Sequence, residues 1–329
     1  MRKLRSILLW ILPALVLLPG CSRSPNSGAD TPVMEFEAQT WTLYGGEAES
    51  PQGQAAALFA QSVSDATNGA VQVELLSEQS EDAQLRFLSS EDAWRLDGRL
   101  EVVSLPFLFD SEEQAESVLD GSGGEAVSAV LAEHQLRCLG IGSEGFRCPT
   151  NTHRPIIHPD DLRGLKLRVS DTPVIQEAYG LWGADCVSAA WPIVFTALRT
   201  GTYAGQEEYL CVADSAAVQS VQSYMTQWNG IYGCVIFCMD AEVYDALAPA
   251  LREIVDRCGQ EAAAQLRQAH RQEEEAILTR WSRTKLIITT LTPEEADQFR
   301  QAAQPCYDRF AREYSQEFLS QFLSDADGS

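Results

Sequence analysis

Five residues, Leu165-Lys166-Leu167-Arg168-Val169, carry the first chemical pattern in this chain. Strand alternation sends Leu165, Leu167 and Val169 to one face and Lys166 and Arg168 to the other, so two cations point the same way. Such a pair is either the solvated face of an edge strand or an anion-binding position at a cleft. A guanidinium suits the second role, because its planar fork matches both oxygens of a carboxylate, which an ammonium cannot do. Residue types for acyl transfer are also present in Ser170-Asp171, His134, His153 and His158. No Gly-x-Ser-x-Gly elbow, Gly-rich phosphate loop or paired metal ligands accompany them, which argues against a secreted hydrolase.

The elements that must hold these residues belong to a chain of 329 residues, 45% hydrophobic and 22% charged, an ordinary composition for a packed two-lobed α/β protein. Its 24 Lys and Arg face 47 Asp and Glu, a formal net charge of −23. Such a body repels nucleic-acid backbones and anionic lipid surfaces, so an anionic ligand must be held by a local basic pocket. Met1-Arg2-Lys3-Leu4-Arg5 is a cationic leader, Ile7 to Leu18 is apolar but short for a bilayer span, and Leu18-Pro19-Gly20-Cys21 follows. The leader resembles a bacterial lipoprotein signal with its lipobox. That resemblance implies cleavage after residue 20, acylation of Cys21, and an exported chain anchored to the outer face of the cytoplasmic membrane. Residues 21–34 read as a flexible tether reaching on the order of 20 Å.

Eight cysteines follow Cys21. An even count in an exported chain permits disulfides, and buried free thiols fit equally well. Cys234 and Cys238 flank Val235-Ile236-Phe237 without a nearby His, so no metal and no cofactor is expected. Strand-like content at Phe36 to Thr42, a helical period from Gln54 to Thr67 and alternation at Val71, Val73 and Leu75 give a strand-helix-strand opening. Glu78 to Arg99 shows no clear period. Ser111 caps a helix, Gly121 to Gly124 loosens the chain before a helix over Glu125 to Glu133, and Arg137 to Ile141 reads as a short buried strand. Helices are expected at Val174 to Leu181 and Val194 to Arg199, and a long one from Pro249 to about Arg280, roughly 50 Å, that can brace two lobes. Leu286 to Thr289 is a strand. Thr292-Pro293-Glu294-Glu295 is a capping box that opens a helix to about Ala311.

Several fragments stand in a recognisable order: Ser104-Leu105-Pro106-Phe107-Leu108-Phe109, Glu144-Gly145-Phe146-Arg147, Pro159-Asp160-Asp161-Leu162-Arg163-Gly164 running into Leu165 to Val169, Ala197-Leu198-Arg199-Thr200-Gly201, Gly205-Gln206-Glu207, and Leu291-Thr292-Pro293-Glu294-Glu295. In order and spacing the chain resembles TRAP transporter solute-binding proteins of the DctP type. The resemblance implies a two-lobed periplasmic-binding-protein fold of type II character, with hinge strands and a long helix spanning both lobes. It divides the body into 35–145 plus about 234–273, and 146–233 plus about 274–329. It further implies that Arg168 grips a ligand carboxylate with help from Arg147, that the hinge closes over the ligand, and that small and large TRAP membrane subunits read the closed form. The chain itself is expected not to be an enzyme. A ligand-sensing lipoprotein of the same fold is the alternative.

Departures from the family pattern bear on the ligand. Ile193, Val194 and Phe195 stand where an acidic residue is common, Ala204 where Asp usually precedes Gly-Gln-Glu, and Glu208 where Asn is usual. A carboxylate at 208 either repels a dicarboxylate, pairs with Arg168 and weakens its grip, or is solvated. A zwitterion whose amine faces Glu208 while its carboxylate meets Arg168 is the alternative to a plain small organic acid. The segment between Leu76 and Ser104 is shorter than the family's usual run.

Overall fold

A computed structural model describes residues 36–80 and 82–324. The leader, Cys21 and the tether lie outside the described residues. The strand-helix-strand opening is β1 (Gln39–Tyr44), α1 (Pro51–Ala66) and β2 (Val71–Leu76), with β1 and β2 parallel. Ser50 caps α1 by accepting from the Gly53 amide, and Pro51 takes the first-turn position where its missing N–H costs nothing. The unassigned stretch holds β3 (Leu85–Ser89) and α2 (Ser90–Leu96), joined by a full capping box between Ser89 and Asp92.

Ser111 caps α3 (Glu112–Asp120) as expected. The glycines after it do not loosen the chain: α4 (Ser122–Glu133) begins directly beyond Gly121. A Cβ on Gly124 would lie 2.1 Å from the Leu119 carbonyl oxygen, so glycine is what allows one helix to turn immediately into the next. The short strand expected at Arg137 to Ile141 is the first part of β4 (Leu136–Asn151), sixteen residues long. Its register shifts between Cys138 and Gly140 and between Ser143 and Gly145 break the alternation by which its length would have been read.

After β4 come β5 (Lys166–Arg168), α5 (Pro173–Leu181), β6 (Asp185–Val187), α6 (Val194–Arg199), β7 (Gly205–Tyr209), α7 (Leu210–Ser215), β8 (Tyr224–Gln227), β9 (Tyr232–Asp240), α8 (Ala241–Asp245), α9 (Pro249–Trp281), β10 (Ile287–Thr290), α10 (Pro293–Ala302), α11 (Gln304–Phe310) and α12 (Gln316–Phe322). The Thr292 capping box is complete. The helix it opens stops at Ala302 instead of Ala311, because Pro305 lacks the N–H that would bond back one turn, and a new helix starts there.

The strands run in the order β2-β1-β3-β9-β4-β7-β5-β6, with β8 pairing both β4 and β10. One side of this order is the β2-β1-β3-β9 group and the other the β7-β5-β6 group, and β4 belongs to both. The 33-residue α9 follows the same division: Leu251, Val255, Cys258, Ala262 and Leu266 pack with Phe59, Leu139 and Phe237, whereas Ile277 and Trp281 pack with Leu210 and Met225. It lies close on β4, since a Cβ at Gly140 would meet the Ala263 Cβ at 2.8 Å and the Gly259 oxygen at 3.0 Å. Gly140→Ala is therefore expected to push helix and strand apart and to lower unfolding free energy by about 1–3 kcal/mol, as overpacking does, in a denaturant titration.

Candidate functional site

Strand β4 exchanges partners midway. Through Phe146 it pairs with β9, and from Arg147 it pairs with β7. Arg147 stands just past the exchange, its amide donating to the Ile231 oxygen at 2.9 Å and its carbonyl accepting from Trp228 Nε1 at 2.8 Å. On the far side of β7, β5 places Arg168 opposite Gln206. Strand β7, which carries Glu207 and Glu208, thus lies between the two arginine-bearing strands.

Arg147 is 0% exposed. Its Nε donates to Glu207 Oε2 at 2.6 Å, its Nη2 lies 2.7 Å from Glu208 Oε1, and the guanidinium sits 4.3 Å from the centre of the Tyr209 ring. Arg168 is 7% exposed, donates from Nη1 to Glu208 Oε2 at 2.7 Å, and lies 5.2 Å from the centre of the Trp191 ring. Glu208 therefore bridges both arginines, one oxygen to each. Glu207 is held a second way, since its Oε1 accepts from the Ser170 amide at 2.6 Å. The solvated alternative for Glu208 does not hold: it is buried, as is Glu207.

Lys166 and Arg168 part company. Lys166 is exposed, its Nζ 5.8 Å from the Tyr203 ring centre, and only Arg168 enters the buried group. The histidines do not join Ser170: ring nitrogens of His134, His153 and His158 bond Asp97, Thr152 and Gln298, respectively. The Ser170 hydroxyl instead donates to Glu91 Oε1 at 2.7 Å, and Arg95 Nη2 reaches Asp171 at 2.8 Å. Two bonds thereby tie α2, which follows β3, to the turn after β5.

Burial alone would lower the proton affinity of Arg147, but Glu207 and Glu208 outweigh it and hold the guanidinium well above its ordinary value. Burial pushes Glu207 upward against the pull of Arg147. Glu144, in the bulge of β4, is pushed up to about 8 by burial, with Arg147 again pulling the other way. Three groups here are closed off from solvent without a hydrogen-bond partner: Arg147 Nη1, Glu144 Oε2 and the Tyr209 hydroxyl. Glu91 Oε1 lies 3.6 Å from Nη1, beyond hydrogen-bond reach. Sequence reasoning named Arg147, Arg168 and Glu208 but missed Glu91, Glu144 and Tyr209. Glu144 stood inside a quoted family fragment; Glu91 lay in the stretch without period.

The model of the bacterial extracellular solute-binding protein family 7, DctP, matches residues 44–313. A solute-binding protein of Verminephrobacter eiseniae is 30% identical over 242 residues, 73% of this chain and 71% of its own. A TRAP periplasmic solute-binding protein of Ochrobactrum anthropi, with a C-terminus bound in its ligand pocket, superimposes with a TM-score of 0.84 at 26% identity, over 88% of this chain and 95% of that one. The sugar-acid-binding protein DctPAm of Advenella mimigardefordensis, in complex with galactonate, gives a TM-score of 0.78 at 27% identity, over 89% and 99%. The chain belongs to the DctP family. It is a two-lobed, extracytoplasmic solute receptor of the TRAP type and not an enzyme.

The raised Glu144 carboxyl gives a pH dependence of definite sign. Above about pH 4.5 the unfolded chain sheds a proton that the native chain keeps until about pH 8, so stability is lost as pH rises through that window. Glu274, pushed up to about 8 by burial and then by Glu112, contributes with the same sign. Glu144→Gln is expected to remove part of the fall in melting temperature between pH 5 and pH 8, leaving the Glu274 part; an unchanged profile contradicts this assignment.

Proposed function

We propose that this receptor captures a small carboxylate-bearing molecule between its lobes, with Arg168 as the principal anchor and Arg147 assisting. The observation that carries the reading is the Glu208 bridge: a carboxylate already occupies both guanidiniums, one oxygen to each, at 2.7 Å. A ligand carboxylate that enters takes the Arg168 side of this bridge, and Glu208 turns to face the rest of the ligand. Exchange of one carboxylate for another gains little by itself. Affinity then depends on what the ligand offers the unpartnered Arg147 Nη1, Tyr209 hydroxyl and Glu144 Oε2.

The lobes are 35–145 with about 234–273, and 146–233 with about 274–329. This division is supported by the partner exchange of β4 at Arg147 and by the passage of α9 from one core to the other. The last helix, α12, departs from this division: although it falls within 274–329, it packs on the first lobe, where the Ser122 hydroxyl donates to the Phe322 oxygen. Closure joins the lobes through Ser170–Glu91 and Arg95–Asp171. The small and large membrane subunits of a TRAP system then take up the ligand from the closed form, by way of an ion gradient, while lipid on Cys21 keeps the receptor at the membrane.

A zwitterionic ligand is the second reading, favoured by one observation: Glu91, Glu207 and Glu208 outnumber the two arginines they surround. An ammonium group evens that balance.

Calorimetric titration with small organic acids, sugar acids and amino acids tests both readings. A charged hydrogen bond contributes about 1.5–3 kcal/mol, so Arg168→Ala is expected to weaken binding roughly 10- to 100-fold while Arg147 keeps Glu208 paired and the apo fold intact. Wild-type affinity in that variant means the anchor is elsewhere. Glu208→Asn is expected to favour plain acids over ligands carrying an amine, and unchanged selectivity contradicts a ligand-facing Glu208.

A further inference from the structure

Two cysteines stand directly opposite one another, Cys138 on β4 and Cys238 on β9. Their place in the ladder follows from two backbone bonds. The Ala241 amide donates to the Gln135 oxygen at 2.9 Å, which makes 135/241 a hydrogen-bonded pair, so with antiparallel alternation 137/239 is bonded and 138/238 is not. The Asp240 amide, bonded to the Gln84 oxygen on the β3 side at 2.9 Å, agrees: the backbone of Cys238 turns toward β3 and not toward Cys138. Residues of a non-hydrogen-bonded antiparallel pair have Cα atoms about 4.5 Å apart and side chains on the same face, within the span that a disulfide bridges. Among the described residues no other cysteine is in ladder register with another: Cys148 pairs with Glu208, Cys186 with Leu167 and Cys234 with Ser143, and Cys211, Cys258 and Cys306 lie on helices.

We propose that Cys138 and Cys238 are an oxidisable pair that forms a cross-strand disulfide outside the cytoplasm, where this receptor works. Both are free thiols in this structure, each with a long contact to a carbonyl of its own strand, Cys138 to Gly140 at 3.8 Å and Cys238 to Ile236 at 3.9 Å. Nothing strong has to be broken to join them. Cys138 is half-buried and lines an open groove of about 660 Å³ together with Asp120, Ser128 and Arg267, whereas Cys238 is fully enclosed, so of the two Cys138 is the one an oxidant meets first. That asymmetry orders the steps. The Cys138 thiolate attacks the disulfide of an oxidising dithiol protein and releases one donor thiol. The Cys238 thiol then gives up its proton, attacks the Cys138 sulfur of the mixed disulfide, and releases the second donor thiol; two electrons pass to the donor. Burial pushes both thiols up, and charge on Cys138 adds to this at Cys238, which makes both steps slow without such a catalyst.

The bond would close a loop from 138 to 238 that contains Arg147, Arg168, Glu207 and Glu208, tying both ends of that segment to one place on the sheet. The full chain, exported with its own leader into an oxidising compartment, is alkylated under denaturing, non-reducing conditions and digested for mass spectrometry. A Cys138–Cys238 linked peptide is expected, with two of the eight thiols that follow Cys21 protected, together with a lower melting temperature after dithiothreitol. In Cys238→Ser, Cys138 should be alkylated and dithiothreitol should leave the melting temperature unchanged. If that variant fails to accumulate, the wild-type peptide maps before and after reduction decide alone. Full alkylation of both residues in the exported chain, or linkage of Cys138 to any other cysteine, overturns the proposal.

Discussion

Two guanidiniums and two carboxylates withdrawn from water set the terms for the structure around them. Charges of this kind are tolerated only when each keeps a partner, and a change that leaves one of them buried with none typically costs about 3–5 kcal/mol. Here the partners come from three adjacent strands: Arg147 from β4, Glu207 and Glu208 from β7, Arg168 from β5. The order of strands is therefore an electrostatic requirement as well as a packing one. An acidic body with a net charge of −23 repels anions at long range, so two guanidiniums brought together are a local exception to its field. The same acidity supplies the carboxylates that pair with them.

Mechanically the chain is organised by what crosses it. Strand β4 pairs on one half with β9 and on the other with β7, and the exchange falls at Arg147. Helix α9 lies along β4 and contributes side chains to both cores. Arg147 thus sits at that exchange, and the Arg95–Asp171 and Ser170–Glu91 bonds link α2 to the turn after β5 beside it.

Legibility in the sequence followed the strength of local signals. Helix α9, with Pro249 at its start and no internal proline, and the Thr292 capping box are written in single residues and were read directly. Alternation around Arg168 was read as well, but alternation could not tell Lys166 from Arg168; only the neighbouring strand and Trp191 enclose one and leave the other exposed. The length of β4 was hidden by two bulges that reset its period. The glycines at 121–124 looked like a loop because close packing of two helices uses the same residue as flexibility does. Glu91 was invisible for another reason: its role depends on a contact 79 positions away in the chain, at Ser170, and nothing local in Ser90–Leu96 announces it. The family resemblance supplied Arg147 and the unusual Glu208, yet the bridge that Glu208 makes between both arginines is a property of the folded molecule.

A crystal structure of the receptor with its ligand bound tests the central claim most directly. The account predicts a ligand carboxylate within hydrogen-bond distance of Arg168, with the Glu208 carboxylate displaced from that guanidinium and turned toward the ligand. A ligand seated elsewhere, with the 2.7 Å Arg168–Glu208 bond intact, would contradict it.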